Sequence, residues 1–150
     1  TGTNAGIRLD QITQKTLWGA VSYWQGTSKY MSKIPTDDNS VASGDANYTA
    51  MEHHWDEAFG YSGAPVDFPV NKEGIRFWAK YCDRQDAALG SNGIIMDAFT
   101  KGRAVIAQNA ELTLRDEQIE IIRKEWERFC ASQAVSYLEG AKDNFGTDNA

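Results

Sequence analysis

Apolar residues recur along most of the chain at the spacing of amphipathic helices, and strand signals are nearly absent. The first periodic segment runs from about Ile7 to Met31. Its apolar positions are Leu9, Ile12, Ala20, Val21, Tyr23 and Trp24. Residues 33–47 follow without apolar periodicity, and Pro35, Gly44 and a cluster of Asp, Asn and Ser punctuate them. We predict a first helix followed by a surface loop.

A second helix is predicted from Asn47 to about Tyr61, within the stretch NYTAMEHHWDEAFGY. Asn47 can cap its start, and Gly60 or Gly63 can end it. Proline then prevents a continuation, because it lacks the amide hydrogen and biases the preceding residue toward extended backbone. The two prolines of this stretch are Pro65 and Pro69.

Two shorter helices are predicted next. One covers residues 73–84, and the other begins near Ser91 or Asn92. Gly102 leaves the length of the second one open, because a glycine inside a helix costs about 1 kcal/mol relative to alanine.

The longest predicted helix begins at Thr113, which can cap it with Asp116 placed three residues later. Its predicted inner face comprises Ile119, Ile122, Trp126, Phe129, Ala134, Tyr137, Leu138 and Ala141. Several long helices that each bury one stripe form an all-α helical bundle. Residues 1–150 require only one domain.

Composition narrows the possible functions. Of the 150 residues 41% are hydrophobic and 11% aromatic, so the chain can bury a core and is not a disordered segment. Asp and Glu outnumber Lys and Arg by 21 to 15. Nucleic acid is therefore a poor partner, because clustered basic residues bind a phosphate backbone. The chain has no apolar run long enough to cross a bilayer, so membrane attachment would need an anchor outside it.

The candidate chemistry is concentrated in the second predicted helix. The chain has only two histidines, His53 and His54, and they are adjacent. On a helix both imidazoles can meet the carboxylate of Glu57, which follows them by four and three residues. The predicted inward stripe comprises Met51, His54, Ala58 and Tyr61. It would carry His54 and the neighbouring Glu57 toward the interior, and leave His53 and Asp56 nearer the solvent.

A neutral imidazole beside a carboxylate is half of a site for a divalent metal such as iron or zinc. His54 and Glu57 are the predicted ligands. Possible additions are His53, Asp67 in the rigid loop after the helix, and Tyr61 as an orienting residue. The pair of His54 and Glu57 can instead be a purely structural hydrogen bond, which costs little once both groups are satisfied. Spacing alone leaves both interpretations open.

Other chemistries lack support in the sequence. The zincin pattern His-Glu-x-x-His, the ferritin-like Glu-x-x-His order and the P-loop are all absent. Residues 37–40 are acidic without EF-hand spacing, which favours an ordinary loop. Cys82 and Cys130 lack the spacing of a redox or zinc motif, and both a disulfide and two separate thiols remain open. The aromatic residues between Trp18 and Tyr30 favour core packing, with a pocket for a ring-bearing ligand as the alternative.

The segment YTAMEHHWDEAFGYSGAPVDFP resembles the signature region of a family of bacterial helical envelope proteins related to the imelysins. The stretches LWGAVSYWQG, RFWAKYCDRQDAALGSNGIIMDAFTKGRAVI and IRKEWERFCASQAVSYLEGAKDNF are similar to that family too, so the resemblance covers nearly the whole chain. Imelysin-like proteins carry a Gly-x-His-x-x-Glu motif, which falls here on His54 and Glu57 with Glu52 at the glycine position. Since glycine permits close backbone approach, we expect a site geometry that differs from the wider superfamily.

The resemblance implies an all-helical domain of two bundle-like halves, of which this chain resembles the N-terminal part. It also implies a periplasmic or outer-membrane-associated protein, attached as a lipoprotein or secreted, that takes part in iron acquisition. The partner would be the remaining half of the domain or another envelope protein. We therefore expect a metal-binding or metal-uptake accessory protein that uses His54 and Glu57. A non-catalytic interaction module is the alternative, and a metal-dependent hydrolase is the third.

Overall fold

A computed structural model describes residues 7–40, 44 and 46–145, and this part of the chain forms five helices and no strand. Helix α1 is continuous and consists of α-helical Leu9–Leu17, π-helical Trp18–Tyr30, α-helical Met31–Lys33 and a final 3-10 turn, Ile34–Thr36. The other helices are α2 (Ala50–Gly60), α3 (Phe77–Leu89), α4 (Ser91–Ala107) and α5 (Leu112–Asp143). The predicted all-α helical bundle is confirmed. None of the helices in the described ranges has the length and apolar composition needed to cross a bilayer.

The core lies where α1, α2 and α4 meet α5. Helices α4 and α5 pack along each other, α2 lies between α1 and α4, and α3 contacts α1, α4 and α5. The largest fully buried side chains include Trp55, Trp126, Phe129, Met31 and Ile106. Each of these contributes about 1.5 to 3 kcal/mol relative to its exposed state. The bundle is thus centred on two indole rings, one from α2 and one from α5.

The π-helical segment of α1 turns small and polar side chains toward the core. Its wide turns are closed by bonds five residues apart, such as the one from the Met31 amide to the Gly26 carbonyl. The buried positions of this segment are Ser22, Gly26, Thr27 and Tyr30. Gly26 permits close packing, because a Cβ there would lie 3.2 Å from Cη2 of Trp126. Five of the six apolar positions that indicated an amphipathic helix are instead exposed, namely Leu9, Ile12, Ala20, Val21 and Trp24.

Helix α2 begins with a capping box that differs from the predicted cap at Asn47. The Glu52 amide donates to Oγ1 of Thr49 at 3.1 Å, and the Thr49 amide donates to Oε2 of Glu52 at 2.9 Å. Two amides at the helix start are satisfied in this way, which Asn47 could not achieve from two residues further upstream. The end of the helix at Gly60 agrees with the prediction.

Helices α3 and α4 follow one another with only Gly90 between them. Helix α3 begins at Phe77 rather than near residue 73, because Gly74 adopts a left-handed φ of 82° that ends a preceding turn. Helix α4 begins at Ser91 as predicted and continues through Gly102 to Ala107. The glycine does not interrupt it.

Helix α5 extends beyond the rest of the bundle. Its 32 residues span about 48 Å, against about 26 Å for the 17 residues of α4. The inward positions Ile119, Ile122, Trp126 and Phe129 are buried as predicted, but Ala134, Tyr137, Leu138 and Ala141 are exposed. The predicted cap is also wrong, because the helix begins one residue before Thr113 and Asp116 pairs with Arg115 at 2.7 Å.

A buried polar seam joins α3 to α5. Nε2 of Gln85 donates to Oε1 of Gln133 at 3.1 Å, and the Ser132 hydroxyl donates to Oε1 of Gln85 at 2.7 Å. Gln85 and Gln133 are both buried. Because Gln85 donates to Gln133 and accepts from Ser132, its amide is satisfied, which lowers the cost of burying polar groups in the core.

Candidate functional site

His54 is hydrogen-bonded to an aspartate that was not among the predicted site residues. Its Nδ1 lies 2.6 Å from Oδ2 of Asp37, and the two side chains are only 19% and 14% exposed. His54 projects from α2, whereas Asp37 follows the last turn of α1. The pair therefore ties the end of α1 to the middle of α2.

The segment that carries Asp37 is fixed by a neighbouring asparagine. Nδ2 of Asn39 donates to the Ile106 carbonyl at 2.8 Å, and Oδ1 of Asn39 accepts from the Thr49 hydroxyl at 2.7 Å. The N-cap of α2 and the C-terminal part of α4 thus hold the same short segment. The predicted surface loop is correct only in part, because Ile34 is fully buried and Asp37 is bonded. Residues 41–43 and 45 of that loop lie outside the described residues.

Tyr30, at the end of the π-helical segment, lies next to His54, Glu57 and Tyr61, and these residues form the cluster around Tyr30. Its ring lies 5.5 Å from the His54 ring and stacks at 5.7 Å on Tyr61, measured between centroids. Burial, and then the neighbouring Glu57 carboxylate, raise the pKa of the Tyr30 phenol. Tyr30 is therefore a neutral hydroxyl at neutral pH. The structure brings His54, Glu57 and Tyr61 together around it.

Glu57 pairs with His53 rather than with His54. Nε2 of His53 lies 3.6 Å from Oε2 of Glu57, and Tyr48 stacks on the His53 ring at 5.3 Å. The side chains of His53 and Glu57 are 46% and 33% exposed, so His54 is the more buried histidine, as expected. The structural alternative of a bond between His54 and Glu57 is replaced by the bond to Asp37.

Asp67 lies on an exposed turn after α2. Its backbone carbonyl accepts from the amides of Val70 and Asn71 at 3.0 and 3.2 Å, which closes the turn. Its side chain faces solvent rather than the buried ring of Tyr30. A role for Asp67 as a ligand stays a prediction.

Two lysines border the cluster from α1. The ammonium group of Lys29 lies 4.8 Å from the centre of the Tyr30 ring, and that of Lys33 lies 5.6 Å from it. Such contacts are favourable for the cations. The surroundings of the Tyr30 ring therefore contain two cations from α1 as well as the Glu57 carboxylate.

The donors available for a metal are few. Among residues 7–40, 44 and 46–145 no group of three or more His, Cys, Asp and Glu is placed to hold an ion. Nδ1 of His54 is engaged by Asp37, which leaves Nε2 as its donor atom. The carboxylate of Glu57 and the hydroxyls of Tyr30 and Tyr61 complete the set. One nitrogen donor together with oxygen donors suits iron or zinc, but these side chains alone would form only part of the coordination sphere.

Glu52, which the resemblance to imelysin-like proteins aligns with a glycine, connects α2 to α4. Besides its role in the capping box, its Oε1 accepts from Nη1 of Arg103 at 2.7 Å. The Thr49 amide, and then the Arg103 guanidinium, hold the pKa of Glu52 below its usual value. A glycine could make neither bond, so this position anchors the helix instead of allowing close backbone approach.

The two cysteines are free thiols. Burial raises the pKa of Cys130 to about 12 and that of Cys82 well above its usual range. The raised pKa values favour the protonated thiols, which are poor nucleophiles. They act as small apolar residues in the core, where Cys82 is fully enclosed.

Comparison with known protein families assigns the chain to one of them. Residues 2–150 match the family described as a domain of unknown function, DUF4856, and the chain belongs to that family. Neither the curated proteins nor the solved structures contain a match to it.

Proposed function

We propose that this DUF4856 protein binds a metal ion, iron or zinc, through His54 and Glu57. The observation that supports the proposal most is the bond between His54 and Asp37. Histidines that ligate metals commonly donate their other ring nitrogen to a carboxylate, which fixes the tautomer and makes the ligand more basic. In the neutral imidazole, the bond of 2.6 Å to the Asp37 carboxylate favours the tautomer with the proton on Nδ1 and the lone pair on Nε2.

The rest of the coordination sphere would come from oxygen. Glu57 is partly exposed, so its carboxylate is accessible without unfolding of the cluster. Tyr30 and Tyr61 supply hydroxyls, and Tyr30 would bind as a phenolate only to a strongly Lewis-acidic ion, because its pKa is raised. Water or a partner chain would supply the remaining ligands. The metal adds a localised positive charge that balances Asp37 and Glu57.

The cellular setting of the proposal rests on the resemblance to imelysin-like proteins. We propose that the family is a branch of that superfamily, and that the protein acts in the periplasm or at the outer membrane as an accessory of metal uptake. An anchor outside this chain, such as a lipid, would attach it there. The partner would be the remaining half of an imelysin-like domain or another envelope protein.

The test is metal binding by untagged protein that a chelator has first stripped. We expect calorimetry to show one tight site for zinc or anaerobic ferrous iron, and elemental analysis to find the metal in stoichiometric amount. His54→Ala should lose at least about tenfold in affinity. Asp38→Asn is the control, because this exposed carboxylate bonds only within its own turn, to Ser40, and is expected to change affinity little. Absence of binding by the wild type, or equal binding by His54→Ala, would overturn the proposal.

A second candidate function, a non-catalytic interaction module, is favoured by two exposed apolar stripes. Leu9–Leu17 of α1 contains no buried residue, and Leu138 of α5 is exposed too. Tyr81 connects the two regions, since its ring is 5.1 Å from Nζ of Lys15 and its hydroxyl 3.2 Å from that of Tyr137. A photo-crosslinker at position 138 in living cells should capture one defined envelope protein. The absence of a cross-linked product would contradict this candidate. The third candidate, a metal-dependent hydrolase, gains no support from the described residues.

A further inference from the structure

A cleft of about 380 Å³ opens between α2 and α4, on the face of α2 opposite His54. Its floor is apolar and largely aromatic, and consists of Trp55, Phe59, Met96 and Phe99. Trp55 and Phe99 are almost completely buried, so they form the base of the floor within the core, and the apolar surface open to a ligand comes mainly from Phe59 and from Val66, which is 85% exposed. The volume lies within the range of small-molecule sites.

The floor offers no open hydrogen-bond donor from its indole. Nε1 of Trp55 donates to the Phe99 carbonyl at 3.1 Å, so the polar atom of this ring is already satisfied. The ring of Phe59 packs edge-on against Phe99 with centroids 5.2 Å apart. A ligand would therefore meet carbon surface here, and its body must be apolar to gain from the contact.

Asp56 and Arg103 are the charged residues that line the rim, and Glu52, which does not line the cleft, is a second partner of Arg103. Nε of Arg103 donates to Oδ1 of Asp56 at 2.9 Å, and Nη1 of Arg103 donates to Oε1 of Glu52 at 2.7 Å. Two carboxylates thus share one guanidinium, and Asp56 is 58% exposed. An anionic ligand would have to compete with both carboxylates for Arg103. A cationic group can instead pair with Asp56 and leave the existing ion pairs intact.

We propose that this cleft binds a small amphiphile with an apolar body and a cationic head, such as an alkyl or aryl ammonium compound. The apolar body lies on the aromatic floor, and the ammonium group contacts Asp56 at the rim. The site is separate from the cluster around Tyr30, since it uses the opposite face of α2. The inference therefore does not depend on metal binding.

The test compares three ligands with the same octyl chain: octylammonium, octanol and octanoate. Titrations of the isotope-labelled protein at low ionic strength are followed by NMR through the amides of α4 near Thr100 and Arg103. We expect octylammonium to bind most tightly, at least about tenfold better than octanoate, with octanol between them. Equal or tighter binding of octanoate would overturn the proposal. So would the absence of saturable shifts with octylammonium.

Variants separate the charge from the cavity. Asp56→Asn should weaken octylammonium about fivefold and leave octanol unchanged, because it removes charge without removing apolar surface. Asp97→Asn is the matched control, since this exposed carboxylate on α4 pairs with Lys101 and does not line the cleft. Equal losses in both variants would mean a general charge effect and refute the site.

Filling the cleft should abolish binding of all three ligands. Ala104→Leu adds volume to its wall, and Ala107→Leu does the same at a more exposed position if the first variant is unstable. Unchanged octylammonium binding in a folded variant would contradict the proposed location. Shifts of the cleft amides with protein concentration alone would show that a second copy fills it, and would also overturn the proposal. His54→Ala should bind octylammonium normally.

Discussion

Trp55 of α2 packs directly on the backbone of Gly102 of α4. A Cβ at position 102 would lie 2.1 Å from Cη2 and 2.2 Å from Cζ2 of that indole, far inside van der Waals contact. Nothing larger than hydrogen fits there without displacement of a ring that is 1% exposed. This contact explains why a helix of 17 residues keeps a glycine in its interior.

Gly102→Ala should therefore destabilise the protein. Alanine favours a helix over glycine by about 1 kcal/mol, but overpacking of a filled core costs about 1 to 3 kcal/mol. We expect the free energy of unfolding in urea to fall by up to about 2 kcal/mol. Gly93→Ala is the matched control on the same helix, because a Cβ there would meet nothing within 4 Å. It should be neutral or stabilising, and a stabilising Gly102→Ala would show that Trp55 does not rest on this glycine.

Asp37→Asn should weaken metal binding without loss of the fold. The amide cannot accept the Nδ1 proton of His54 with the strength of a carboxylate, so the imidazole loses its orientation and basicity. We expect the affinity for zinc to fall by about tenfold or more in calorimetry. Asp38→Asn is the control, because this neighbouring carboxylate bonds only within its own turn, to Ser40. Equal affinities of the two variants would show that Asp37 does not orient a ligand.

Glu52→Gln should lower stability at neutral pH and matter less in acid. Glutamine can still cap α2, so the loss comes from the charged bond to Arg103 and should be about 1 kcal/mol. The pKa of Glu52 is lowered from 4.5 in the folded protein, so its contribution is complete above that value. It is lost as the pH falls through the lower folded pKa, where the wild type becomes neutral too.

Urea unfolding at pH 7 and pH 3 checks this prediction. The gap between the wild type and Glu52→Gln should narrow in acid, while Glu73→Gln, at an exposed loop position, should change stability little at either pH. A gap that widened in acid would have the wrong sign for a lowered pKa and would contradict the role of the carboxylate.

Both thiols should react slowly in the folded, reduced protein. Burial raises the pKa of Cys130 to about 12 and raises that of Cys82 as well, so little thiolate exists at pH 8. We expect an aromatic disulfide reagent to label the folded protein at least about tenfold more slowly than the same protein in urea. One thiol that reacted at its unfolded rate would show that its side chain is not enclosed.

The sequence predicted the elements whose periodicity is that of an α-helix. The orientation of α2 follows from its 3.6-residue repeat, which also places His54 on a more buried side than His53. Asp37 could not be found in this way, because a loop contact 17 residues away leaves no periodic signal. The acidic residues next to Asp37 in the sequence predicted only a polar loop.

The inner face of α1 was missed for a different reason. A helix-period analysis assigns the core to large apolar residues, whereas α1 turns Ser22, Gly26 and Thr27 inward. Trp126 fills the space beside Gly26, so the apolar contact at that position is made by α5. The end of α5 is exposed because the neighbouring helices are shorter than α5, and its own sequence pattern does not reveal their lengths.

The seam between Gln85 and Gln133 determines the alignment of two helices as well as their contact. Two apolar helices can slide by one turn and recover most of their packing. A buried amide pair has a single position in which donor and acceptor meet, and a slip would strand both groups in the core. We therefore expect leucine at both positions to preserve thermal stability but to allow more than one alignment of α3 along α5. The seam contributes to the uniqueness of the fold more than to its strength.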